Sequence, residues 1–288
     1  MNTLFPIEQV NKYVILSASR MTDMPKYYPE ELIEEVEKRI NKGIHIHTLV
    51  LWTKHPNSLL INPLHDYLIE LKKRGIQLYI QLTITGLGGI PLGNAKNNKP
   101  LFLEPDAPRY ENSLLLLPEI IDLVGKPERI RLRVDPIIRI IDANNNVISN
   151  LSYFPIIVEN ASKLGISNFS FSFLESETHK KVDKRFNDLG LKIYPPDEYE
   201  RINTVKWINE IEKKYNVKVF ACSVPGLTIS KCIDGIFLEN IHDNCFKTDH
   251  KQPFKRKLCG CTESIDLGGW PPKKCYTGCQ YCYSKSSY

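Results

Sequence analysis

Apolar runs rich in β-branched residues alternate with amphipathic segments along the first three quarters of the chain. Branched apolar runs favour strands, and apolar residues that recur every three or four positions favour helices. The pattern predicts six strands, over residues 14–20, 46–53, 78–85, 129–136, 169–174 and 217–222. It predicts helices near residues 29–42, 63–74, 111–124, 152–164 and 196–215. This alternation is typical of an α/β fold, and we expect a partial (β/α)6 TIM-type barrel over residues 1–222.

One face of the predicted strands is unusually polar. Arg131, Arg133 and Asp135 alternate with apolar residues, so their side chains share a face of the fourth strand. The third and fifth strands carry a similar alternation, in Gln81, Thr83, Thr85, Ser170 and Ser172. An internal ion pair between Arg133 and Asp135 would account for those two residues. Polar side chains on several strands at once favour a ligand bound inside the barrel.

Composition and charge constrain the class of protein only loosely. The 288 residues are 42% hydrophobic, which is enough for a large core, and the net charge of +5 permits an anionic substrate or nucleic acid without requiring one. A basic run at Lys247, Lys251, Lys255, Arg256 and Lys257 is either a solvated loop or a phosphate contact. The sequence shows no long apolar span and no signal-like start, so we expect a cytoplasmic protein without a membrane partner.

All eight cysteines lie in the last quarter of the chain. A disulfide framework is typical of small secreted chains, whereas cysteines crowded into one end of a chain without a leader favour metal ligation. We therefore expect residues 223–288 to form an irregular C-terminal iron-sulfur segment.

Cys275, Cys279 and Cys282 form a Cys-x3-Cys-x2-Cys motif with Tyr281 before the third cysteine. Three thiolates leave one iron of a 4Fe-4S cluster without a protein ligand, and S-adenosylmethionine can chelate that iron. Electron transfer through such a cluster cleaves the bound sulfonium to a 5'-deoxyadenosyl radical. A structural zinc site is the alternative, because the pair Cys279 and Cys282 also fits zinc ligation.

A second set of cysteines precedes this motif. Cys222, Cys232, Cys259 and Cys261 suit an auxiliary 4Fe-4S cluster or a structural zinc ion. Alternatively, Cys222 is a small buried residue and the others are free thiols. Cys245 has no evident partner, and we expect it to be a bystander.

Several longer motifs carry a resemblance to a known superfamily. They are SASRMTDMP at 17–25, LWTKHP at 51–56, VDPII at 134–138, KCID at 231–234, CGCTESIDLGG at 259–269 and CYTGCQYCY at 275–283. The chain resembles the radical S-adenosylmethionine superfamily. Within it, the chain is similar to an uncharacterised bacterial and archaeal domain family with a C-terminal cluster motif, which is sometimes likened to spore photoproduct lyase.

The resemblance implies a cluster and S-adenosylmethionine bound across the carboxyl ends of the strands. The loop after strand one, where ordinary members carry their cysteines, has none here, so the tail must fold back over the barrel mouth. The implied cofactor-binding residues are Thr53 and Lys54 after strand two, together with Arg133, Asp135 and Glu175. Ser19 and Arg20, at the exit of strand one, are placed by position in the same pocket, beside Thr22 and Asp23.

The resemblance also implies an enzyme that abstracts hydrogen from an unidentified substrate and accepts electrons from a reductase or a flavodoxin- or ferredoxin-type donor. Two other functions stay open from the sequence. One is a spore photoproduct lyase-like repair or modification of nucleic acid, and the other is a non-catalytic iron-sulfur or zinc protein for electron transfer or as an adaptor.

Overall fold

The computed structural model describes residues 13–222, 224, 228–253 and 259–284. Its strands, in chain order, are β1 Val14–Ala18, β2 Ile46–Thr53, β3 Gln77–Thr83, β4 Pro91–Asn94, β5 Pro100–Phe102, β6 Ile130–Ile137, β7 Arg139–Ile141, β8 Val147–Ser149, β9 Asn168–Phe173, β10 Lys192–Ile193, β11 Lys218–Ala221 and β12 Ile265–Asp266. Its α-helices are α1 Met24–Tyr27, α2 Pro29–Ile40, α3 Leu64–Lys73, α4 Tyr110–Leu115, α5 Leu117–Val124, α6 Tyr153–Ser162, α7 Lys180–Asp188, α8 Glu198–Tyr215 and α9 Gly235–Asn240.

A seven-stranded parallel sheet organises the chain, in the order β11-β9-β6-β3-β2-β1-β12. All six strands expected from the sequence belong to it, and they lie side by side in chain order. The expected α/β fold with a parallel sheet is therefore confirmed. Closure of this sheet into a (β/α)6 barrel stays a prediction.

Each face of the sheet has its own hydrophobic core. The larger core contains the apolar residues of the central strands that alternate with the polar ones, such as Leu49, Leu82 and Leu132, together with buried residues of the helices. On the opposite face, Ile15, Val50 and Tyr79 pack with Ile233 and with Leu238 of α9. The C-terminal part of the chain thus covers the polar face of the sheet.

This cover explains much of the polar alternation. The Arg131 guanidinium donates to the carbonyl of Lys231 at 2.7 Å, and the Gln81 amide donates to the carbonyl of Cys232. Gln77 reaches the carbonyl of Leu238 at 3.0 Å. A buried backbone carbonyl must accept a hydrogen bond, and these polar side chains supply the donors. For Arg131 and Gln81, the ligand expected from the sequence is therefore replaced by the chain itself.

Some elements differ from the predicted ones. The single helix expected over 111–124 is two helices, α4 and α5, because Pro118 lies in the first turn of α5 and has no N–H to continue the α4 ladder. The long segment after β3 contains the antiparallel pair β4 and β5. Strands β10, β7 and β8 form a small antiparallel sheet that the sequence pattern did not predict. Across the described ranges, the helices are too short or too polar to cross a membrane.

Candidate cysteine site

The C-terminal segment joins the sheet before it reaches the cysteine motif. Strand β12 pairs in parallel with β1, and the Leu267 N–H donates to the Ser17 carbonyl at 2.8 Å. A Cβ atom built on Gly268 would lie 2.6 Å from Ser19 Oγ, so the chain passes in direct contact with the end of β1. Beyond this point, the Thr22 hydroxyl donates to the Lys273 carbonyl at 2.9 Å.

The terminal cysteine turn, residues 275–282, is attached to the loops that follow β1, β2 and β3. Thr277 Oγ1 lies 3.3 Å from Tyr27 Oη and 3.1 Å from His55 Nε2, and the Thr277 carbonyl accepts from the Asp106 N–H at 3.4 Å. The Cys275 thiol donates to the same Thr277 hydroxyl at 3.5 Å. Because parallel strands end at one edge, these contacts place the turn at the carboxyl ends of the first three strands.

A buried charged group lies beneath this turn. Lys54 Nζ is 2.9 Å from Glu104 Oε1, and the hydroxyls of Thr85 and Tyr281 also donate to Glu104. Burial lowers the pKa of Lys54, but the charge and hydrogen bond of Glu104, together with the charges of Cys279 and Asp135, more than offset burial and raise the pKa, so the ammonium stays protonated. Burial and the Glu104 carboxylate together raise the pKa of Tyr281, which keeps its phenol neutral.

The three cysteines of the turn differ in how far they are buried. Cys279 is buried, whereas Cys275 and Cys282 are partly exposed. Burial raises the pKa of Cys279, Lys54 opposes this rise, and the charges of Glu104, Cys282 and Cys275 add to it. The three sulfurs therefore lie within electrostatic reach of one another.

Arg185 of α7 fixes the backbone of the turn. Its guanidinium donates to the carbonyls of Cys279 at 3.4 Å, Gln280 and Cys282 at 2.7 Å. Neither Arg185 nor Glu104 stood out in the sequence. Glu104 lies in a Pro-rich segment without periodicity, and the helix that carries Arg185 has only two buried apolar residues, Val182 and Phe186.

Arg133 and Asp135 form an ion pair on the same face of the sheet, and the Ser172 hydroxyl donates to Asp135. The guanidinium carbon of Arg133 lies 5.1 Å from the centre of the Trp52 ring, and that of Arg20 lies 5.4 Å from it. The ion pair expected between Arg133 and Asp135 is thus present. Two guanidinium groups thus lie against the Trp52 indole, and one of them is paired with the Asp135 carboxylate.

The other proposed cofactor residues are engaged in local structure. Glu175 accepts two hydrogen bonds from the Arg201 guanidinium, at 2.7 and 2.9 Å. The Thr53 hydroxyl donates to Asp23 at 3.0 Å, and the Ser19 hydroxyl accepts from the Met21 N–H at 3.4 Å. The structure brings Ser19, Thr53 and Lys54 to the edge that the cysteine turn covers.

Asp23 organises the turn between β1 and β2. Its carboxylate caps α1 and also accepts from the Lys54 N–H at 2.8 Å. Burial raises its pKa to about 6, and the hydrogen bonds from Lys54, Thr53 and Lys26 oppose that rise. The Asp23 carboxylate is thus engaged by the loop that it caps.

The second cysteine set is partly assembled. The Ser230 N–H donates to the Ala221 carbonyl at 3.0 Å, and the Thr262 N–H donates to the Ile233 carbonyl at 2.7 Å. The Cys232 sulfur lies 3.4 Å from Arg133 Nη1 and 3.4 Å from Ser230 Oγ. Cys259 is partly exposed, and Cys245 is exposed. The fold therefore places the chain segments that carry Cys222, Cys232 and Cys261 next to one another.

The cysteines of neither set are arranged around a single metal position. Within the described residues, no group of three or more His, Cys, Asp or Glu side chains has an arrangement that could hold a metal ion. Two residues of the basic run form ion pairs: Lys247 with Glu239 at 3.0 Å and Lys251 with Glu263 at 3.4 Å. Lys255, Arg256 and Lys257 lie outside the described residues.

Comparison with known proteins gives a family and no activity. No curated protein matches the chain. A family profile described as a domain of unknown function, DUF1848, matches residues 15–284. That range includes every strand of the parallel sheet in whole or in part and both cysteine sets. The chain therefore belongs to the DUF1848 family.

Proposed function

We propose that the chain is a radical S-adenosylmethionine enzyme in which Cys275, Cys279 and Cys282 hold a 4Fe-4S cluster. When bound, the cluster and S-adenosylmethionine would supply reductive cleavage to a 5'-deoxyadenosyl radical, which abstracts hydrogen from the substrate. One observation carries the proposal: the cysteine turn is fastened, through Thr277, to the loops after β1, β2 and β3. In parallel α/β sheets, ligands bind at the carboxyl ends of the strands.

The donor set of the turn supports an iron-sulfur cluster. Thiolates are the ligands that iron-sulfur clusters and other soft metals select. Lys54 lies close enough to Cys279 to oppose the rise in its pKa, and Arg185 opposes the rise at Cys282. Closing the turn on a cluster requires the thiol protons to leave, and these two cations offset the negative charge that results. The hydrogen bonds from Arg185 keep the backbone of the turn in place meanwhile.

The polar residues on the same face of the sheet suit the rest of the cofactor. The Arg133 guanidinium can form a bidentate pair of hydrogen bonds with a carboxylate, and Asp135 can accept a hydrogen bond from a ribose hydroxyl or an ammonium group. We assign the methionyl carboxylate to Arg133 and the ribose or amino group to Asp135. Glu175 keeps its pairing with Arg201, which holds the loop after β9.

The electrons must come from outside this chain, from a reductase or a flavodoxin- or ferredoxin-type protein. The substrate is unidentified, and the two guanidinium groups at Trp52 favour one with an anionic group. Nucleic acid is one such anionic substrate, and its repair or modification would be a spore photoproduct lyase-like reaction.

The test is anaerobic reconstitution with iron and sulfide, followed by incubation with dithionite and S-adenosylmethionine. We expect the wild-type protein to release 5'-deoxyadenosine, measured by chromatography. Cys279→Ala is expected to lose about four irons per chain and all product. Cys245→Ala is the matched control, because this exposed cysteine lies outside both sets. A colourless protein that contains zinc, or equal iron and product in the two variants, would overturn the proposal and favour a non-catalytic protein.

A further inference from the structure

We infer that a cleft beside the cysteine turn binds a small zwitterion, namely a free α-amino acid with an apolar or aromatic side chain. The cleft has a volume of about 500 Å³ and is lined by Lys26, Tyr27, Asp106 and Tyr276. Pockets for small molecules have volumes of about 300 to 1,000 Å³, so a molecule of amino-acid size fits this cleft. The inference does not require a metal or cofactor bound to the cysteines.

Thr277 fastens together the three chain segments that form the cleft. Its hydroxyl lies 3.3 Å from Tyr27 Oη, and its carbonyl accepts from the Asp106 N–H at 3.4 Å. Tyr276 precedes Thr277 in the chain, and the ring centres of Tyr276 and Tyr27 lie 5.4 Å apart in an edge-to-face arrangement. The walls of the cleft are thus held in place before a ligand binds, which lowers the entropic cost of binding.

The cleft carries one cation and one anion. The Lys26 N–H donates to Asp23 Oδ1 at 3.3 Å, so the backbone of Lys26 is anchored while its side chain is exposed. A Cβ atom built on Gly278 would lie 3.4 Å from Asp106 Oδ2, so the Asp106 carboxylate lies against the cysteine turn. Across the described ranges, the Lys26 ammonium and the Asp106 carboxylate form no ion pair, either with each other or with a third group.

Opposite charges that line one cleft without pairing select a ligand that carries both signs. An α-amino acid can present its carboxylate to Lys26 and its ammonium group to Asp106, in two charge-assisted hydrogen bonds. A purely anionic ligand would meet like charge at Asp106, and a purely cationic one would meet it at Lys26. The Tyr27 hydroxyl already contacts Thr277, so Tyr27 and Tyr276 offer the ligand their rings, which pack favourably against apolar and aromatic groups.

The test measures binding to the full wild-type chain, purified without added metal, by isothermal titration calorimetry. L-Phenylalanine is the probe. Phenethylamine is the analogue that lacks the carboxylate, and hydrocinnamate is the analogue that lacks the ammonium group. We expect saturable binding of L-phenylalanine, and binding of each analogue that is weaker by about tenfold or more, because each has lost one charge-assisted hydrogen bond.

Two substitutions identify the charges that the ligand contacts. Lys26→Gln is expected to weaken L-phenylalanine binding by about tenfold and to leave phenethylamine binding unchanged, because phenethylamine has no carboxylate. Asp106→Asn is expected to weaken L-phenylalanine binding by a similar factor and to leave hydrocinnamate binding unchanged. Lys163→Gln, which changes an exposed lysine at the end of α6, is the matched control, and circular dichroism checks the folding of each variant.

Three results would overturn the inference. They are no saturable binding of L-phenylalanine, an equal loss in Lys26→Gln and Lys163→Gln, and analogues that bind as tightly as L-phenylalanine. S-Adenosylmethionine carries the same amino-acid head group and is titrated separately. If it alone binds, with the same dependence on Lys26 and Asp106, the cleft is part of the cofactor site and the inference is wrong. Iron and 5'-deoxyadenosine in Cys279→Ala test the turn alone, so the two proposals fail separately.

Discussion

At the scale of single residues, the ion pair between Lys54 and Glu104 couples the loop after β2 to the cysteine turn. Both side chains are largely buried, and Tyr281 donates to the same carboxylate. Removing one partner of a buried ion pair leaves an uncompensated charge, which costs about 3 to 5 kcal/mol. We expect Lys54→Met to lower the free energy of unfolding by that amount, measured by urea denaturation.

The double variant Lys54→Met with Glu104→Gln distinguishes the effect of an uncompensated charge from a general loss of packing. Because it removes both charges, we expect it to be more stable than Lys54→Met alone. Lys163→Met is the control, since Lys163 forms an exposed ion pair with Glu159 and should change stability by about 0.5 kcal/mol or less. A double variant no more stable than the single one would show that the charge of Glu104 is not the cause.

Asp23 makes stability depend on pH. Burial raises its pKa from the ordinary 3.8 to about 6. The folded state therefore holds the proton more tightly than the unfolded state, so this contribution is full below about pH 3.8 and is lost as pH rises through about 6. The difference amounts to roughly 3 kcal/mol.

Asp23→Asn removes this titration. We expect the free energy of unfolding of the wild type, relative to the variant, to fall between pH 4 and pH 7. A constant offset is also expected, because an amide N–H₂ replaces an oxygen that accepts hydrogen bonds from Thr53 and Lys54. Asp66→Asn changes an exposed carboxylate and serves as the control. Parallel pH curves for wild type and Asp23→Asn would contradict the role of burial.

At the scale of elements, α9 and its flanks cover the polar face of the sheet. Leu238 is fully buried against Tyr79 and Val50, whereas Ile236 of the same short helix is 51% exposed. We expect Leu238→Ala to destabilise the protein by about 2 to 5 kcal/mol, from lost burial and the cavity left behind. Ile236→Ala should change stability by about 0.5 kcal/mol. Thermal unfolding of the two variants measures this contrast, and equal effects would mean that α9 does not hold the sheet.

The same helix shows what sequence patterns can and cannot predict. The six main strands were predictable because branched apolar residues recur on their helix-facing side, as Leu49 and Leu51 do in β2. The segment that covers the polar face of the sheet was not predictable. Arg131 and Gln81 donate to backbone carbonyls, and every residue type has a backbone carbonyl, so no sequence pattern identifies the partner. Helix α9 is also too short to show a period.

The candidate site likewise contains features that could be predicted from the sequence and features that could not. The return of the cysteine turn to the end of β1 was expected from the resemblance to proteins that carry their cysteines after strand one, and the contact between Thr22 and Lys273 agrees with it. Glu104 could not be predicted, since it reaches Lys54 only through the irregular segment after β3. Chain topology places whole segments, whereas the pairing of individual charges depends on loops without a pattern.

At the scale of the whole molecule, the two ends of the chain depend on each other. Strand β12 and Leu267 bind β1, and Thr248 Oγ1 donates to the Tyr13 carbonyl at 2.8 Å. The division into a core over residues 1–222 and a segment over 223–288 follows from the sequence pattern and stays a prediction. These contacts give it a direct physical test.

We expect residues 1–222, produced alone, not to unfold cooperatively. Without the C-terminal segment, Ile15, Val50 and Tyr79 would face water, and the buried donors of Arg131 and Gln81 would lose their carbonyl partners. Each large apolar side chain left in water forgoes about 1.5 to 3 kcal/mol and each lost hydrogen bond about 0.5 to 1.5 kcal/mol, and marginal stability cannot absorb several such losses. Near-ultraviolet circular dichroism and urea denaturation of the fragment, beside the full chain, measure the effect. A native near-ultraviolet spectrum with a sharp transition would instead establish residues 1–222 as an independent domain, and the C-terminal segment would then be a cover added to a finished sheet.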